Sequence, residues 1–362
     1  MFYELLYPLK EHSIIFNVFR YITFRAACAS VTAFLTCVIA GPYCIKWLKQ
    51  FNVIATTQRK HAPELHPLHE HKCDIPTMGG LLIIFAVVVS TLLWGDLSNK
   101  NILLLLLVFV SLGLVGFVDD FLKIARGNSL GLPAITKLVG QSLIGIFLGV
   151  YLFYDVDFEK VLYLPFLKTF VIYIGPLAII FIAFVIVGTS NALNLTDGLD
   201  GLAIGCSIFV IGSFAIVSYI TGNFNFSVYL NIPFIKESGE LTVFCASLAG
   251  ACVGFLWFNC HPAEVFMGDT GSLALGGAIG TVAILIKQEL LLIIVGGIFV
   301  WEAISVILQI VSVRFTGKRM FLMSPFHHHL QLKGWPESKV TIRLWIISFI
   351  LALIGLSTLK LR

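Results

Sequence analysis

Long apolar runs separated by short polar stretches dominate the chain. A transmembrane helix needs about 20 mostly apolar residues, and ten runs come close to that length. The runs lie at 23–46, 77–95, 101–119, 133–153, 169–189, 201–221, 240–258, 272–287, 289–312 and 341–359. The pattern predicts an all-α integral membrane protein, in which residues 1–362 form one polytopic bundle of about ten transmembrane helices.

Composition supports the membrane prediction and excludes other classes. Hydrophobic residues make up 58% of the chain and charged residues 12%, whereas a soluble domain carries about 25% charged residues. The net charge of +4 is too small to indicate nucleic-acid binding. The eight cysteines show no CxxC spacing, so neither a disulfide framework nor a zinc site is expected.

The loops that follow the first, third, fifth, seventh and ninth runs contain all the unusual polar clusters. If all ten runs cross the bilayer, these loops share one face and both termini lie on the other. Lysines and arginines are also more frequent in and beside these loops, which favours the cytoplasm for that face. The five loops expected to form the active site are 47–76, 119–132, 190–200, 259–271 and 313–340.

Two adjacent carboxylates, Asp119 and Asp120, end the third run, and Lys123 follows at helical i+4 and i+3 spacing. Ionised carboxylates are costly at the edge of hydrocarbon, and Lys123 can moderate their charge from one turn away. The pair suggests a divalent-cation site or an acid/base role. A solvated helix end with a local ion pair explains the same residues, and the sequence leaves both readings open.

Polar residues recur at every third position in the 190–200 loop. Asn191, Asn194, Asp197 and Asp200 would therefore lie along one side of a helical turn. Amides and carboxylates can bind a uracil edge and ribose hydroxyls, or they can hold a cation. One of the two aspartates could simply cap the next helix.

The 259–271 loop places Asp269 after Gly268 and immediately before the next apolar run. Glycines let a phosphate approach the backbone, and a helix start offers free N–H groups to an anion. A tight turn capped by Asp269 or Ser272 is the alternative. Asn259 and Phe266 belong to the same loop.

Three consecutive histidines, His327, His328 and His329, occupy the last of these loops. Imidazoles can bind a transition metal, contact phosphate or move protons. One metal cannot readily take three successive side chains, so we favour phosphate contact for part of the triplet. Lys72, close to the predicted bilayer edge, is a candidate diphosphate contact.

Taken together, one face offers carboxylates, cations and amides. Mg²⁺ commonly combines one or two carboxylates with substrate phosphates, and phosphoryl transfer relies on positioning and charge neutralisation. A site at the edge of the bilayer further implies that one substrate is a lipid.

Five motifs resemble those of the polyprenyl-phosphate N-acetylhexosamine-1-phosphate transferase superfamily, and the resemblance spans essentially the whole chain. The histidine triplet and the tail that follows it resemble the phospho-N-acetylmuramoyl-pentapeptide transferase branch. Two departures are Asp74-Ile75 where the family often has Gly-Thr, and Gln331 in place of a common Glu. The motifs are Pro76-Thr77-Met78-Gly79-Gly80, Val118-Asp119-Asp120 through Lys123, Asn191 through Gly201, Phe266-Met267-Gly268-Asp269, and His327-His328-His329 with Leu332-Lys333-Gly334-Trp335-Pro336-Glu337.

The resemblance implies Mg²⁺-dependent transfer of phospho-MurNAc-pentapeptide from UDP-MurNAc-pentapeptide to undecaprenyl phosphate, giving lipid I and UMP in peptidoglycan synthesis. It also implies a multi-pass protein of the bacterial inner membrane with the active site facing the cytoplasm, and it allows a homodimer.

Carried onto this chain, the resemblance implies that Asp269, Asp119 and Asp120 form the metal site. One of the last two would deprotonate the lipid phosphate, and His327 would also be catalytic. The remaining residues that it implies contact substrate, either in the nucleotide pocket or at the phosphates. They are Asn194, Asp197, Asp200, Asn259 and Phe266, together with Lys72, Lys123, His328 and His329.

Direct attack by the lipid phosphate on the β-phosphate of the donor is the mechanism that we expect. A covalent aspartyl-phosphate route through Asp119 or Asp120 stays open. Two alternative functions also stay open: a sibling transferase that uses UDP-N-acetylglucosamine, and a membrane transporter. Transporters bind substrate near the bilayer midplane on broken helices, whereas the acids here gather at the ends of runs.

Overall fold

A computed structural model describes residues 1–11, 13–51, 53, 75–126, 131–164 and 171–360. Within these residues, nine helices are long and apolar enough to cross a membrane, and a shorter apolar helix spans Gly80–Trp94. The helices are α1 (Phe2–Leu6), α2 (Ile22–Gln50), α3 (Gly80–Trp94), α4 (Lys100–Ala125), α5 (Ala134–Tyr154), α6 (Leu177–Thr196), α7 (Leu202–Thr221), α8 (Phe224–Leu230), α9 (Leu241–Asn259), α10 (Gly268–Leu285), α11 (Leu291–Val295), α12 (Gly297–Thr316), α13 (Phe326–Leu332) and α14 (Glu337–Thr358). Two short strands, β1 (Val161–Tyr163) and β2 (Val171–Tyr173), pair antiparallel.

Each of the ten predicted spans overlaps a helix, so the predicted all-α membrane bundle is confirmed. The fifth span, predicted at 169–189, is displaced: β2 lies within it, and α6 begins only at Leu177. The ninth span differs in being interrupted at Gly296, which separates α11 from α12.

The residues that precede two of the helices explain where those helices begin. Asn99 precedes α4 and its side chain accepts the N–H of Asn101, while Pro133 directly precedes α5.

All five predicted loops are partly helical: α2 continues into 47–76, α4 into 119–132 and α12 into 313–340, which also contains α13. In the other two loops the helices carry predicted site residues. Helix α6 continues to Thr196, so Asn191 and Asn194 lie on its last turns. Helix α10 begins at Gly268, so Asp269 lies in its first turn. The predicted loop bounds 190–200 and 259–271 are wrong at these ends, because polar side chains on neighbouring helices satisfy one another and the helices continue.

Helix α10 lies at the centre of the bundle, and every residue from Thr270 to Leu285 is buried. It packs against α3, α4, α6 and α7. Small residues permit this close approach: a Cβ added at Gly276 would lie 2.5 Å from the carbonyl oxygen of Thr189 on α6. The 18 residues of α10 extend about 27 Å, so Asp269 and Lys287 lie at opposite ends of the bundle.

The end of the bundle that holds Lys287 (the Lys287 end) contains enclosed charge pairs. Arg25 is 1% exposed, and its guanidinium donates to Glu240 at 2.8 Å and to the carbonyl oxygen of Trp94 at 3.3 Å. Lys287 is 4% exposed; its ammonium lies 3.4 Å from the ring centroid of Phe158 and 4.0 Å from Glu289. The opposite end, which holds Asp269 (the Asp269 end), is arranged differently.

Candidate active site

Three carboxylates from two helices meet at the Asp269 end. Asp119, Asp120 and Asp269 each offer one oxygen, and these oxygens lie within 4.8 Å of one another. Consecutive side chains on a helix point about 100° apart, yet both α4 carboxylates reach the group because α10 begins directly against α4. A Cβ added at Gly116 would collide with the carbonyl group of Asp269. The helices therefore touch by backbone at this point.

Two lysines neutralise part of the charge of this carboxylate cluster. The Lys123 ammonium lies 2.6 Å from Oδ2 of Asp119, 3.4 Å from Oδ1 of Asp120 and 2.8 Å from Oδ2 of Asp269. The Lys137 ammonium, from the first turn of α5, lies 2.7 Å from the same oxygen of Asp269. Lys123 thus contacts both neighbours that its spacing predicts and also bridges to α10. When all five groups are ionised, the cluster keeps one net negative charge.

Each carboxylate has one oxygen fixed by hydrogen-bond donors outside the pair of lysines. The Leu132 N–H donates to Oδ1 of Asp119 at 2.7 Å. The Thr270 N–H and hydroxyl donate to Oδ2 of Asp120 at 2.9 and 2.8 Å. The Asn194 amide donates to Oδ1 of Asp269 at 2.6 Å. The second oxygen of each carboxylate consequently faces the Lys123 ammonium.

This donor set fits a hard divalent cation. One oxygen of each carboxylate faces the same positive group, the Lys123 ammonium. Mg²⁺ prefers oxygen ligands of this type. Gly268 supports the approach of the helices, because its φ of 72° is in the left-handed region and a Cβ there would lie 2.6 Å from Oδ2 of Asp120.

The four polar residues of 191–200 do not share one partner. Asn191 donates to the side-chain oxygen of Gln141 at 2.6 Å, and only Asn194 among the four has a described hydrogen bond to the carboxylate cluster. Asp197 is half-buried and follows the last residue of α6. Asp200 is buried and accepts the N–H of Ala263 at 3.2 Å. The helix ends at Thr196, so the two aspartates leave the side on which the asparagines lie.

Asn259 and Phe266 shape the loop that leads into α10. The buried Asn259 amide accepts the Gly201 N–H at 3.1 Å and donates to the carbonyl oxygen of Val265 at 2.8 Å. The Phe266 backbone accepts the N–H of Gly79 and donates to the carbonyl oxygen of Pro76, both at 2.8 Å. These contacts join the Pro-Thr-Met-Gly-Gly motif to the start of α10. Lys72 lies outside the described residues.

The histidine triplet lies in the first turn of α13, directly after Phe326, and its rings have three different environments. His327 is buried beside Glu302, with Nδ1 3.2 Å from a carboxylate oxygen. Nδ1 of the buried His328 lies 2.9 Å from the side-chain oxygen of Gln331. Nδ1 of His329 accepts the N–H of Leu322 at 3.1 Å. Burial, and then the charge of Lys333, lowers the pKa of His329. One metal ion shared by all three rings does not fit this arrangement.

Sequence reasoning missed three residues that the structure brings into or near the site: Lys137, Thr270 and Glu302. Lys137 carried a usable signal, since it is a lysine in the first turn of an apolar run on the face of the acidic pair. Glu302 carried a stronger one, because an ionisable residue within an apolar run is a functional candidate by default. Thr270 contributes partly through its backbone N–H, which no residue type reveals.

Comparisons with known proteins match this chain, the family model over about half of it and the individual relatives over its full length. The model of the family described as glycosyl transferase family 4 matches residues 102–287. A phospho-N-acetylmuramoyl-pentapeptide-transferase of Geobacter sp. is 50% identical over 362 residues, covering 100% of both chains. Proteins of the same name from Granulibacter bethesdensis and Citrifermentans bemidjiense are also 50% identical, again over 100% of both chains.

Proposed function

The chain belongs to the phospho-N-acetylmuramoyl-pentapeptide-transferase family, and on that premise we propose that it transfers phospho-MurNAc-pentapeptide from UDP-MurNAc-pentapeptide to undecaprenyl phosphate. The products are lipid I and UMP. One observation carries the proposal: three carboxylates and two lysines meet at the end of an apolar bundle, where a prenyl phosphate and a nucleotide diphosphate can reach the same atoms.

In the proposed reaction an oxygen of the lipid phosphate attacks the β-phosphorus of the donor. A new P–O bond forms, and the bond between the β-phosphorus and the oxygen bridging to the α-phosphate breaks, so that UMP leaves. Asp119 or Asp120 takes the proton when the lipid phosphate arrives protonated. Because little covalent chemistry is required of the protein, positioning and charge stabilisation supply most of the rate enhancement.

In this proposal Lys123 and Lys137 contact the diphosphate; the support is that both ammonium groups lie beside the carboxylate cluster, within 2.8 Å of one oxygen of Asp269. Asn194 holds Asp269 in orientation through its other oxygen. Asp119, Asp120 and Asp269 would hold Mg²⁺ through their inward oxygens. When bound, the ion supplies positive charge for the donor diphosphate and the departing UMP.

We further propose that the protein lies in a bacterial inner membrane, that its Asp269 end faces the cytoplasm, and that both termini lie on the opposite side. Lysines and arginines concentrate in the loops of this end, in agreement with the positive-inside rule.

UMP release by the purified protein in detergent tests the proposal. Undecaprenyl phosphate is supplied with either UDP-MurNAc-pentapeptide or UDP-N-acetylglucosamine, each with Mg²⁺ or with EDTA. We expect release with the muramoyl donor and Mg²⁺ only. Release with UDP-N-acetylglucosamine alone would identify the sibling transferase instead, and release in EDTA would refute the metal proposal.

A second measurement separates the two chemical routes. Incubation with the muramoyl donor in the absence of undecaprenyl phosphate should leave no phospho-sugar on the protein, because direct attack needs the lipid acceptor. A labelled adduct on Asp119 or Asp120 would establish the covalent route.

A further inference from the structure

Glu302 is a carboxylate within the apolar helix α12, of which it is the sixth residue, and it is 0% exposed. An ionisable group at such a position is unfavourable unless another group compensates it. The compensating group here is His327: its Nδ1 lies 3.2 Å from Oε2 of Glu302, and its backbone N–H donates to the same oxygen at 3.4 Å. The first contact places the imidazole against α12, and the second joins the backbone of His327 to the same oxygen.

The opposite edge of the imidazole faces the turn between α6 and α7. His327 is also 0% exposed, and both of its ring nitrogens are buried without a hydrogen-bond partner among the described residues, although Nδ1 has the Glu302 carboxylate beside it and Nε2 has no charged neighbour of that kind. A Cβ added at Gly198 would collide with this nitrogen. Gly198 lies in the turn 197–200, between Asp197 and Asp200, which are two residues expected in the nucleotide pocket.

A purely structural ion pair would account for the Glu302 contact and not for the other edge of the ring. A buried polar atom without a partner is unfavourable, and a glycine without a side chain at position 198 is what allows the ring to approach. Complete burial also keeps His327 from direct contact with a substrate, whereas the family resemblance implies a catalytic role for it. The ring instead contacts the turn 197–200 at Gly198, where it can hold the backbone in position.

We propose that Glu302 is a positioning residue that acts through His327 to set the turn 197–200, and thereby the affinity for the nucleotide donor. The inference rests on the proposed function, since it assigns that turn to the donor pocket. Glu302 contacts the ring, the ring contacts Gly198, and the flanking aspartates take their positions from the turn. Neither Glu302 nor His327 needs to touch the reacting phosphates.

Steady-state kinetics of E302Q, H327N and the double variant test this chain of contacts. The E302Q substitution keeps the side-chain volume and removes the charge that holds Nδ1, so we expect KM for the UDP donor to rise about tenfold, equivalent to about 1.4 kcal/mol. KM for undecaprenyl phosphate and kcat should change by less than about threefold. The double variant should be no worse than H327N, because Glu302 acts through that ring.

G198A approaches the same contact from the other side. The added methyl collides with the ring without altering Glu302, so this variant should also raise KM for the donor selectively. Ser305→Ala is the matched control: Ser305 is buried on α12 and its hydroxyl donates to the carbonyl oxygen of Glu302 within the helix. It should leave both KM values unchanged.

Calorimetry of UMP binding tests the inference without relying on turnover. Gel filtration and a thermal melt check that each variant is folded. Weaker UMP binding in E302Q and G198A, with normal melting, supports the inference. Additive losses in the double variant, or a fall in kcat with both KM values unchanged, would overturn it. Failure of the wild-type protein to release UMP from either donor would instead refute the proposed function. The comparison of UMP binding between the wild type, E302Q and G198A would still test the contacts from Glu302 through His327 to Gly198.

Discussion

Both ends of the helix bundle contain buried charges, and the two ends arrange them differently. At the Lys287 end, Arg25 meets Glu240 with a forked guanidinium, and each charge has its partner. At the Asp269 end, three carboxylates share two ammonium groups, and one oxygen of each carboxylate points to a common position. We expect charges that satisfy one another to serve the fold, and surplus charge that converges on one point to serve ligand binding.

Asp269→Asn tests the converging charge most directly and should have the largest effect. Asparagine keeps the shape and removes one of the three carboxylates, so we expect UMP release to fall about 10³-fold, in the range of losing a preorganised electrostatic group. The matched control is Asp155→Asn, which neutralises the partner of Lys100 at the Lys287 end. Equal losses of turnover in the two variants would contradict the distinction between the two ends.

Glu240→Ala should show the opposite behaviour. It leaves the guanidinium of Arg25 buried without its carboxylate, and breaking a buried pair in this way costs about 3 kcal/mol or more in stability. We expect a lower denaturation midpoint in detergent together with unchanged kcat for the folded fraction. A loss of kcat at an unchanged midpoint would show that this ion pair serves the reaction.

Gly116→Ala tests whether backbone contact between α4 and α10 holds the carboxylates together. The added methyl meets the carbonyl group of Asp269, and overpacking of this kind costs about 2 kcal/mol. Stability and UMP release should both fall. Gly212→Ala on α7 is the control, since a Cβ there meets nothing within 4 Å. A G116A protein as stable and active as G212A would refute the backbone contact.

Lys287 should give the smallest effect, confined to alkaline pH. Burial lowers its pKa to about 8, below the ordinary value near 10.5 that applies when the chain is unfolded. Between these two pH values the unfolded chain binds more protons, so stability should rise by about 1 kcal/mol between pH 8 and 9. Chemical denaturation of the wild type and of Lys287→Met measures the difference. An identical pH dependence in both proteins would exclude Lys287 as its source.

The membrane bundle was predictable because hydrocarbon imposes one requirement on every span: about 20 apolar residues in a row. That requirement says little about where a helix stops. The sequence placed Asn194 and Asp269 in loops, and the structure places them on helices because the amide of one donates to the carboxylate of the other. Pairing across 75 residues of chain leaves no local pattern.

The convergence of the acids was also predictable, from the alternation of loops between the two faces. The partners that orient them were not. Leu132 and Thr270 contribute backbone N–H groups, which any residue type carries. Glu302 differs in that its position within an apolar run was visible, and only the nearness of His327 required the structure.

The fixed oxygens of the three carboxylates have a consequence for how the protein matures. Each depends on a donor from another part of the chain: Leu132 before α5, Thr270 on α10 and Asn194 on α6. The complete carboxylate cluster therefore forms only once α4, α5, α6 and α10 have packed together, and a partly inserted chain lacks it.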